Sequence, residues 1–348
     1  MILNLEQLRS VTQGAAEVKK INGNYVFYRM SEAQRQYYAD KPFLKYKRAH
    51  TAAGVRLVFR TDSTALSFFV EVSHVESRNF FQVEVFRDDE RVACVGNATD
   101  LYHALLHDGR EIPVDGVQSE DFPLGQWKCE VDLGTGEKTV RIELPWDLIT
   151  GLNRVTLDDG ASLIPVKPEK KIVFFGDSIT QGNDTIAPSR SYASQVALHF
   201  GLEEFNYAVG AEHFCPKFVP LAADNDPDYV ICAYGTNDWN SDTRETIVEN
   251  SKKFYAAVAE KFPNAKVFAL SPLWRKDLDT VKPSGAFRDL PRIIADAIEP
   301  YGNMTLIDCF DFIPKDSDYC SDLRLHPNEA GFAVYGENII RELTPYIK

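Results

Sequence analysis

The sequence predicts an α/β protein in two parts. Residues 1–165 are expected to form an all-β sandwich or jelly roll, and residues 166–348 a parallel sheet flanked by helices. A chain of 348 residues exceeds what one hydrophobic core usually organises. Short runs rich in Val, Phe and Tyr fill the first part, whereas strands alternate with longer helical stretches in the second.

The first part contains short apolar runs separated by Asp, Gly and Asn, which is typical of strands joined by turns. These runs are residues 55–60, 65–72, 81–86, 125–131, 138–144 and 155–158. Their number indicates two packed sheets whose edges must be closed or covered.

The first predicted strand of the second part is residues 172–175, an uninterrupted apolar run of the kind that a parallel strand buried on both faces requires. The remaining predicted strands are 229–233, 266–270 and 304–307, and the predicted helices are 189–200, 243–262, 287–298 and 329–343. This alternation predicts a parallel sheet with its active residues at the carboxyl ends of the strands.

The charge disfavours two classes of partner. With 51 acidic and 38 basic residues, the chain has a net charge of −13, which repels nucleic acid and anionic membranes, so a neutral substrate is expected.

The sequence shows neither a signal-peptide pattern, in which basic residues precede an apolar stretch, nor a run that approaches the roughly 18 apolar residues of a membrane span. The six cysteines form no CxxC pair or dense framework. A cytoplasmic location is expected, although a mature secreted form has the same sequence features.

The first chemical signal is Gly176-Asp177-Ser178, which directly follows the strand at 172–175. This position places a hydroxyl at the carboxyl end of a buried strand, where a nucleophile is expected. Gly, Asp and Ser are also ordinary turn residues, so this tripeptide alone is more typical of a structural turn.

Two further signals occupy related positions. Asn237 follows the strand at 229–233 and offers an amide donor, while His326-Pro327 precedes the last helix. The positive end of that helix disfavours an imidazolium and keeps His326 available as a base. Each residue also has a structural interpretation: Asn237 closes a turn, and His326 packs or caps the helix.

Together these residues resemble the SGNH (GDSL-like) hydrolase superfamily, whose blocks occur in order across residues 172–343. The resemblance implies a flavodoxin-like sheet and a serine esterase without a metal or organic cofactor. It assigns Ser178 as the nucleophile and His326 as the general base, with an acyl-enzyme that water releases.

The resemblance also implies an oxyanion hole, formed by the main-chain N–H of Ser178, the side chain of Asn237 and an N–H from the block at 206–212. The family's glycine position falls on Ala211, and the only glycine of the block is Gly210. Both are candidates. We favour Ala211, because a main-chain N–H does not require a particular side chain.

The acid of the triad departs from the family pattern. The family places an aspartate three residues before the histidine, where this sequence has Leu323. Asp322, four residues before His326, is the favoured candidate if a one-residue insertion lets it reach the ring. A main-chain carbonyl is the alternative, and Asp316 and Asp318 are less favoured.

The two-part layout and two tryptophans bear on the substrate. The two-part layout resembles carbohydrate esterase family 2 and related bacterial acetylesterases, which implies removal of acetyl groups from a sugar or oligosaccharide. Trp239 and Trp274 follow strands, and each is either a platform for a sugar ring or a packed core residue. The His103 and His107 pair lacks the glutamate of a HExxH motif, so we expect a structural or surface role.

Two alternatives to a sugar esterase stay open. One is a short-chain esterase that acts on non-carbohydrate esters. The other is a catalytically impaired protein whose β-rich part binds carbohydrate. The sequence leaves the oligomeric state undetermined.

Overall fold

The computed structural model describes residues 1–73, 80–98 and 125–347, so His103 and His107 lie outside the described residues. Within that part of the chain, no helix is both long and apolar enough to span a lipid bilayer.

The N-terminal part contains two antiparallel sheets. Its strands are β1 (Thr12–Gln13), β2 (Glu17–Ile21), β3 (Asn24–Tyr28), β4 (Arg56–Thr61), β5 (Ala65–Ser73), β6 (Gln82–Arg87), β7 (Glu90–Gly96), β8 (Gln126–Asp132), β9 (Lys138–Glu143), β10 (Ile149–Leu157) and β11 (Ile164–Pro165). One sheet has the order β1-β4-β9-β6-β7 with β11 on β4, and the other has the order β2-β3-β10-β5-β8. Along β5, buried residues alternate with more exposed ones, as a strand with one face on a core requires.

The C-terminal part is a parallel sheet of order β13-β12-β14-β15-β16. These strands are β12 (Lys170–Gly176), β13 (Leu202–Asn206), β14 (Tyr229–Ala233), β15 (Lys266–Leu270) and β16 (Met304–Ile307). In chain order this is 2-1-3-4-5, the flavodoxin-like arrangement, so the predicted fold class is confirmed. Separate hydrophobic cores cover its two faces.

Helices connect and cover these strands. The described helices are α1 (Leu5–Val11), α2 (Glu32–Tyr37), α3 (Phe43–Ala49), α4 (Ser178–Gln181), α5 (Tyr192–His199), α6 (Thr236–Ser241), α7 (Arg244–Lys261), α8 (Leu290–Ile298) and α9 (Glu329–Leu343).

The helices α2 and α3 correct the expectation that residues 1–165 form an all-β part. A capping box formed by Ser31 and Gln34 starts α2. Met30, Tyr38 and Ala49 pack into a core of the parallel sheet, not into the core between the two antiparallel sheets. Although this segment lies within residues 1–165, it therefore packs against the parallel sheet of the C-terminal part.

The two parts also share buried ion pairs. Arg56 of β4 lies 3.1 Å from Glu143 and 2.5 Å from Glu204 of β13, and all three side chains are almost fully buried. Buried charges need such partners to offset the loss of hydration. Residues 164–165 pair with β4, whereas Lys170 begins the parallel sheet. The division of the chain at residues 165 and 166 stays a prediction.

Candidate active site

The turn after β12 places Ser178 at the start of α4. Asp177 caps that helix, its Oδ1 accepting the N–H of Ile179 at 3.0 Å. Gly176 permits the tight turn, because a Cβ there would lie 2.2 Å from Thr180 Oγ1. The Ser178 hydroxyl is thereby held at the carboxyl edge of the sheet.

Ser178, His326 and Asp322 form a continuous chain of hydrogen bonds. Ser178 Oγ lies 2.8 Å from His326 Nε2, and His326 Nδ1 lies 2.9 Å from Asp322 Oδ2. When Nδ1 donates its proton to the carboxylate, Nε2 presents a lone pair to the serine hydroxyl. This geometry can activate a nucleophile.

The loop before His326 explains how an aspartate four residues away reaches the imidazole. Leu323 adopts a left-handed backbone conformation, with φ of 55°, and its side chain is exposed. Asp322 Oδ1 accepts the N–H groups of Arg324, Leu325 and His326 at 3.0, 2.7 and 3.1 Å. The extra residue thus bulges outward and the loop closes on the carboxylate.

The environment of Asp322 favours its charged form. Burial alone would raise its pKa, but the hydrogen bond and charge of His326, with the main-chain donors, bring the pKa well below its usual range. The weaker candidates Asp316 and Asp318 are both exposed, and Asp316 caps a short 3₁₀ turn. The structure brings Asp322, not these residues, to the imidazole.

The second block lies beside the nucleophile turn, since the N–H of Val209 donates to the carbonyl of Gly176 at 3.0 Å. The N–H of Gly210 donates to Gln181 Oε1 at 2.8 Å and is therefore occupied. Ala211 has a left-handed φ of 64°. Among the described residues, neither its N–H nor that of Ser178 has a protein acceptor. This arrangement favours Ala211 over Gly210 as an oxyanion donor.

Asn237 reaches the same edge of the sheet from β14. The register pairs Gly176 with Ala233, so the turns that follow these two strands are neighbours. The side-chain Nδ2 of Asn237 donates to the carbonyl of Glu212 at 3.1 Å, which orients the amide and leaves the second hydrogen of Nδ2 for a ligand.

Glu212 is a residue of the site that the sequence analysis missed. Its buried carboxylate accepts Tyr38 Oη at 2.8 Å and Lys45 Nζ at 3.0 Å, both from the N-terminal part. These bonds join residues 167 and 174 positions apart, so no local pattern marks them. Through its own carbonyl, Glu212 connects this anchor to Asn237.

Trp239 corrects one expectation. Its side chain is fully buried, its Nε1 donates to the carbonyl of Gly285 at 3.0 Å, and its ring meets Phe287 edge-on. Such a residue belongs to the core and offers no surface to a sugar. Trp274 is half-buried and keeps part of its surface accessible.

A polar cluster behind Asn237 combines His213, Asp238 and Asp242. His213 Nδ1 lies 2.8 Å from Asp242 and 4.0 Å from Asp238. Asp238 also accepts the N–H groups of Phe214 and Gly235, and burial raises its pKa to about 6. These bonds tie α6 to the second block, so we interpret the cluster as a structural brace.

Comparison with known proteins adds family and fold information. Residues 174–334 match the family model of GDSL-like lipases and acylhydrolases. No curated protein sequence gives a significant match.

Several solved structures resemble nearly the whole chain. The salicylyl-acyltransferase SsfX3 from a tetracycline biosynthetic pathway is 21% identical, with a TM-score of 0.74 over 96% of this chain and 94% of that one. A putative GDSL-like lipase from Bacteroides ovatus is 17% identical, with a TM-score of 0.74 over 99% and 97% of the two chains. A family two carbohydrate esterase from Cellvibrio japonicus is 14% identical, with a TM-score of 0.62 over 97% and 96%.

Proposed function

We propose that this chain, a carboxylic ester hydrolase whose residues 174–334 match the GDSL-like lipase and acylhydrolase family, removes short acyl groups, chiefly acetyl, from a sugar or oligosaccharide. One observation carries the mechanism. The contacts run from Asp322 through His326 to the Ser178 hydroxyl, beside two main-chain N–H groups that have no acceptor among the residues the structure describes.

In the proposed acylation step, Ser178 Oγ attacks the ester carbonyl carbon while its proton moves to His326 Nε2. The oxyanion receives hydrogen bonds from the N–H groups of Ser178 and Ala211 and from the amide of Asn237. Such donors typically contribute about 3 kcal/mol each to lowering the barrier. His326 then gives the proton to the leaving alcohol, and the acyl group stays on Ser178.

Deacylation repeats the proton transfers with water. His326 takes a proton from the water as its oxygen attacks the acyl carbon, and returns that proton to Ser178 Oγ. The balance is one ester and one water converted to one carboxylic acid and one alcohol.

The sugar part of the proposal has two supports. The chain shares its two-part fold with family two carbohydrate esterases, among them the Cellvibrio japonicus enzyme. Of the two tryptophans considered as sugar platforms, only Trp274 has accessible surface, which makes it the candidate contact.

The test compares two substrates and two variants. Wild type should release acetate from acetylated xylo-oligosaccharides faster than from a simple alkyl acetate, and Ser178→Ala should abolish both reactions. Ser10→Ala is the control, because its exposed hydroxyl only bonds the carbonyl of Gln7.

The outcomes separate the parts of the proposal. Full activity of Ser178→Ala, or an inactive wild type, contradicts a serine esterase. A higher rate of acetate release from the simple ester contradicts the glycan substrate but still agrees with an esterase. Transfer of the acetyl group to an added alcohol in place of acetate release would assign acyl transfer.

A further inference from the structure

A second carboxylate, which the mechanism above does not use, lies beside the imidazole. Asp184 Oδ2 is 3.8 Å from His326 Nδ1, and the Asp184 side chain is fully buried. Asp322 Oδ2 occupies the hydrogen-bonding position at 2.9 Å from the same nitrogen. His326 Nδ1 therefore lies near two acidic side chains from different loops.

The position of Asp184 is held from several sides. Its backbone has a left-handed φ of 73°, which asparagine, aspartate and glycine tolerate better than other residues. Ser321 donates its hydroxyl to Asp184 Oδ2 at 2.6 Å, and the Ser321 N–H donates to the carbonyl of His326 at 2.8 Å. Ser321 thus connects the acidic side chain to the histidine loop.

The chain after Asp184 is also anchored to the helix that follows His326. Glu329, at the start of α9, accepts the N–H groups of Ile186 and Ala187 at 2.7 and 3.1 Å and the hydroxyl of Thr185 at 2.9 Å. The loop with Asp184 and the loop with His326 are therefore fixed against the same helix end. These contacts hold Asp184 and His326 on one shared framework.

The position has an electrostatic consequence. A carboxylate near 4 Å attracts a positive charge strongly in a buried setting, whereas it interacts weakly with a neutral ring. The His326 ring is neutral before reaction and positive once it holds the Ser178 proton. We propose that Asp184 is a positioning residue that stabilises the His326 imidazolium formed during acylation and deacylation, an inference that rests on the proposed function.

Other charged groups of the described residues face the same ring. Asp322 lies on the histidine's own loop, and Asp177 lies below Ser178 and interacts with His326 electrostatically. Neither shares the position of Asp184, because Asp322 makes the direct hydrogen bond and Asp177 belongs to the nucleophile turn. The electrostatic contributions of Asp322 and Asp177 to the ring therefore remain when Asp184 alone is substituted.

The test uses two variants of the full chain. Asp184→Asn removes the charge while its amide oxygen can still accept the Ser321 hydroxyl, and Asp184→Gly removes the side chain at a backbone conformation that glycine favours. We expect either variant to lower kcat about tenfold with KM within about threefold of wild type. The acid limb of the kcat/KM profile should move to lower pH, because a neighbouring negative charge favours the protonated ring.

The matched control is Asp308→Asn, whose carboxylate also accepts a serine hydroxyl, that of Ser271 at 2.6 Å, but belongs to the turn after β16. It should keep the wild-type kcat and pH profile. A wild-type kcat and an unshifted acid limb in a folded Asp184 variant would overturn the inference. If wild type and Ser178→Ala behave alike, the proposed function fails instead, so the two failures are distinguishable.

Discussion

Asp322→Asn tests the chain of contacts behind the nucleophile. The amide oxygen can keep the three main-chain N–H bonds now made by Asp322 Oδ1, which leaves the amide NH₂ facing His326 Nδ1. That group donates a hydrogen bond, so Nδ1 must become an acceptor and the ring proton must move to Nε2. With a proton on Nε2, His326 cannot accept another from Ser178.

The size of the loss follows from this change of tautomer. The same substitution in a serine protease triad lowers kcat about 10⁴-fold. Asp184 keeps one negative charge 3.8 Å from the ring, so we expect a smaller loss of about 10³-fold, equivalent to ~4 kcal/mol. The assay is kcat on p-nitrophenyl acetate near neutral pH, with Asp318→Asn, an exposed residue, as the control. Activity of Asp322→Asn within tenfold of wild type would refute the reasoning and favour a main-chain carbonyl as the orienting group.

Two other predictions concern residues around the nucleophile. Burial raises the pKa of Asp177 to about 7, so the folded protein resists its ionisation and wild type loses stability as pH rises from about 4 through 7. Asp177→Asn should therefore gain stability relative to wild type between pH 5 and pH 8 in urea unfolding, and an equal difference at both values would contradict the assignment. Tyr38→Phe removes one bond to buried Glu212, and we expect kcat to fall about threefold with KM little changed and unfolding to become easier by about 1–2 kcal/mol. The control is Tyr37→Phe, which loses only a contact with the thiol of Cys215. An unchanged kcat in Tyr38→Phe would show that the bond to Glu212 does not affect the oxyanion site.

The sequence predicted the parts of the fold that local patterns encode. Strands β14, β15 and β16 have the predicted bounds, because continuous apolar runs between turn residues leave few alternatives. The positions of Ser178, Asn237 and His326 at one sheet edge followed from the strands that precede the first two and the helix that follows the third. The outward turn at Leu323 agrees with the insertion considered for Asp322.

The features that the sequence analysis missed depend on contacts between residues far apart in the chain. Strand β13 was not predicted because Glu203 and Glu204 interrupt its apolar pattern, and the charge of Glu204 is compensated by Arg56, 148 residues away. The helices α2 and α3 bury residues such as Tyr38 against the parallel sheet, which no pattern within residues 31–49 indicates. Trp239 follows a strand at the active edge, yet its ring points into the core.

Direct observation of the acylated residue tests the central claim that Ser178 is the nucleophile and His326 its base. The measurement is peptide mass spectrometry after an acid quench of enzyme mixed with excess p-nitrophenyl acetate. An acetyl group should appear on the peptide that contains Ser178 in wild type, and it should be absent in Ser178→Ala and strongly reduced in His326→Ala. Acetylation of another residue during turnover, or turnover by Ser178→Ala, would contradict the claim.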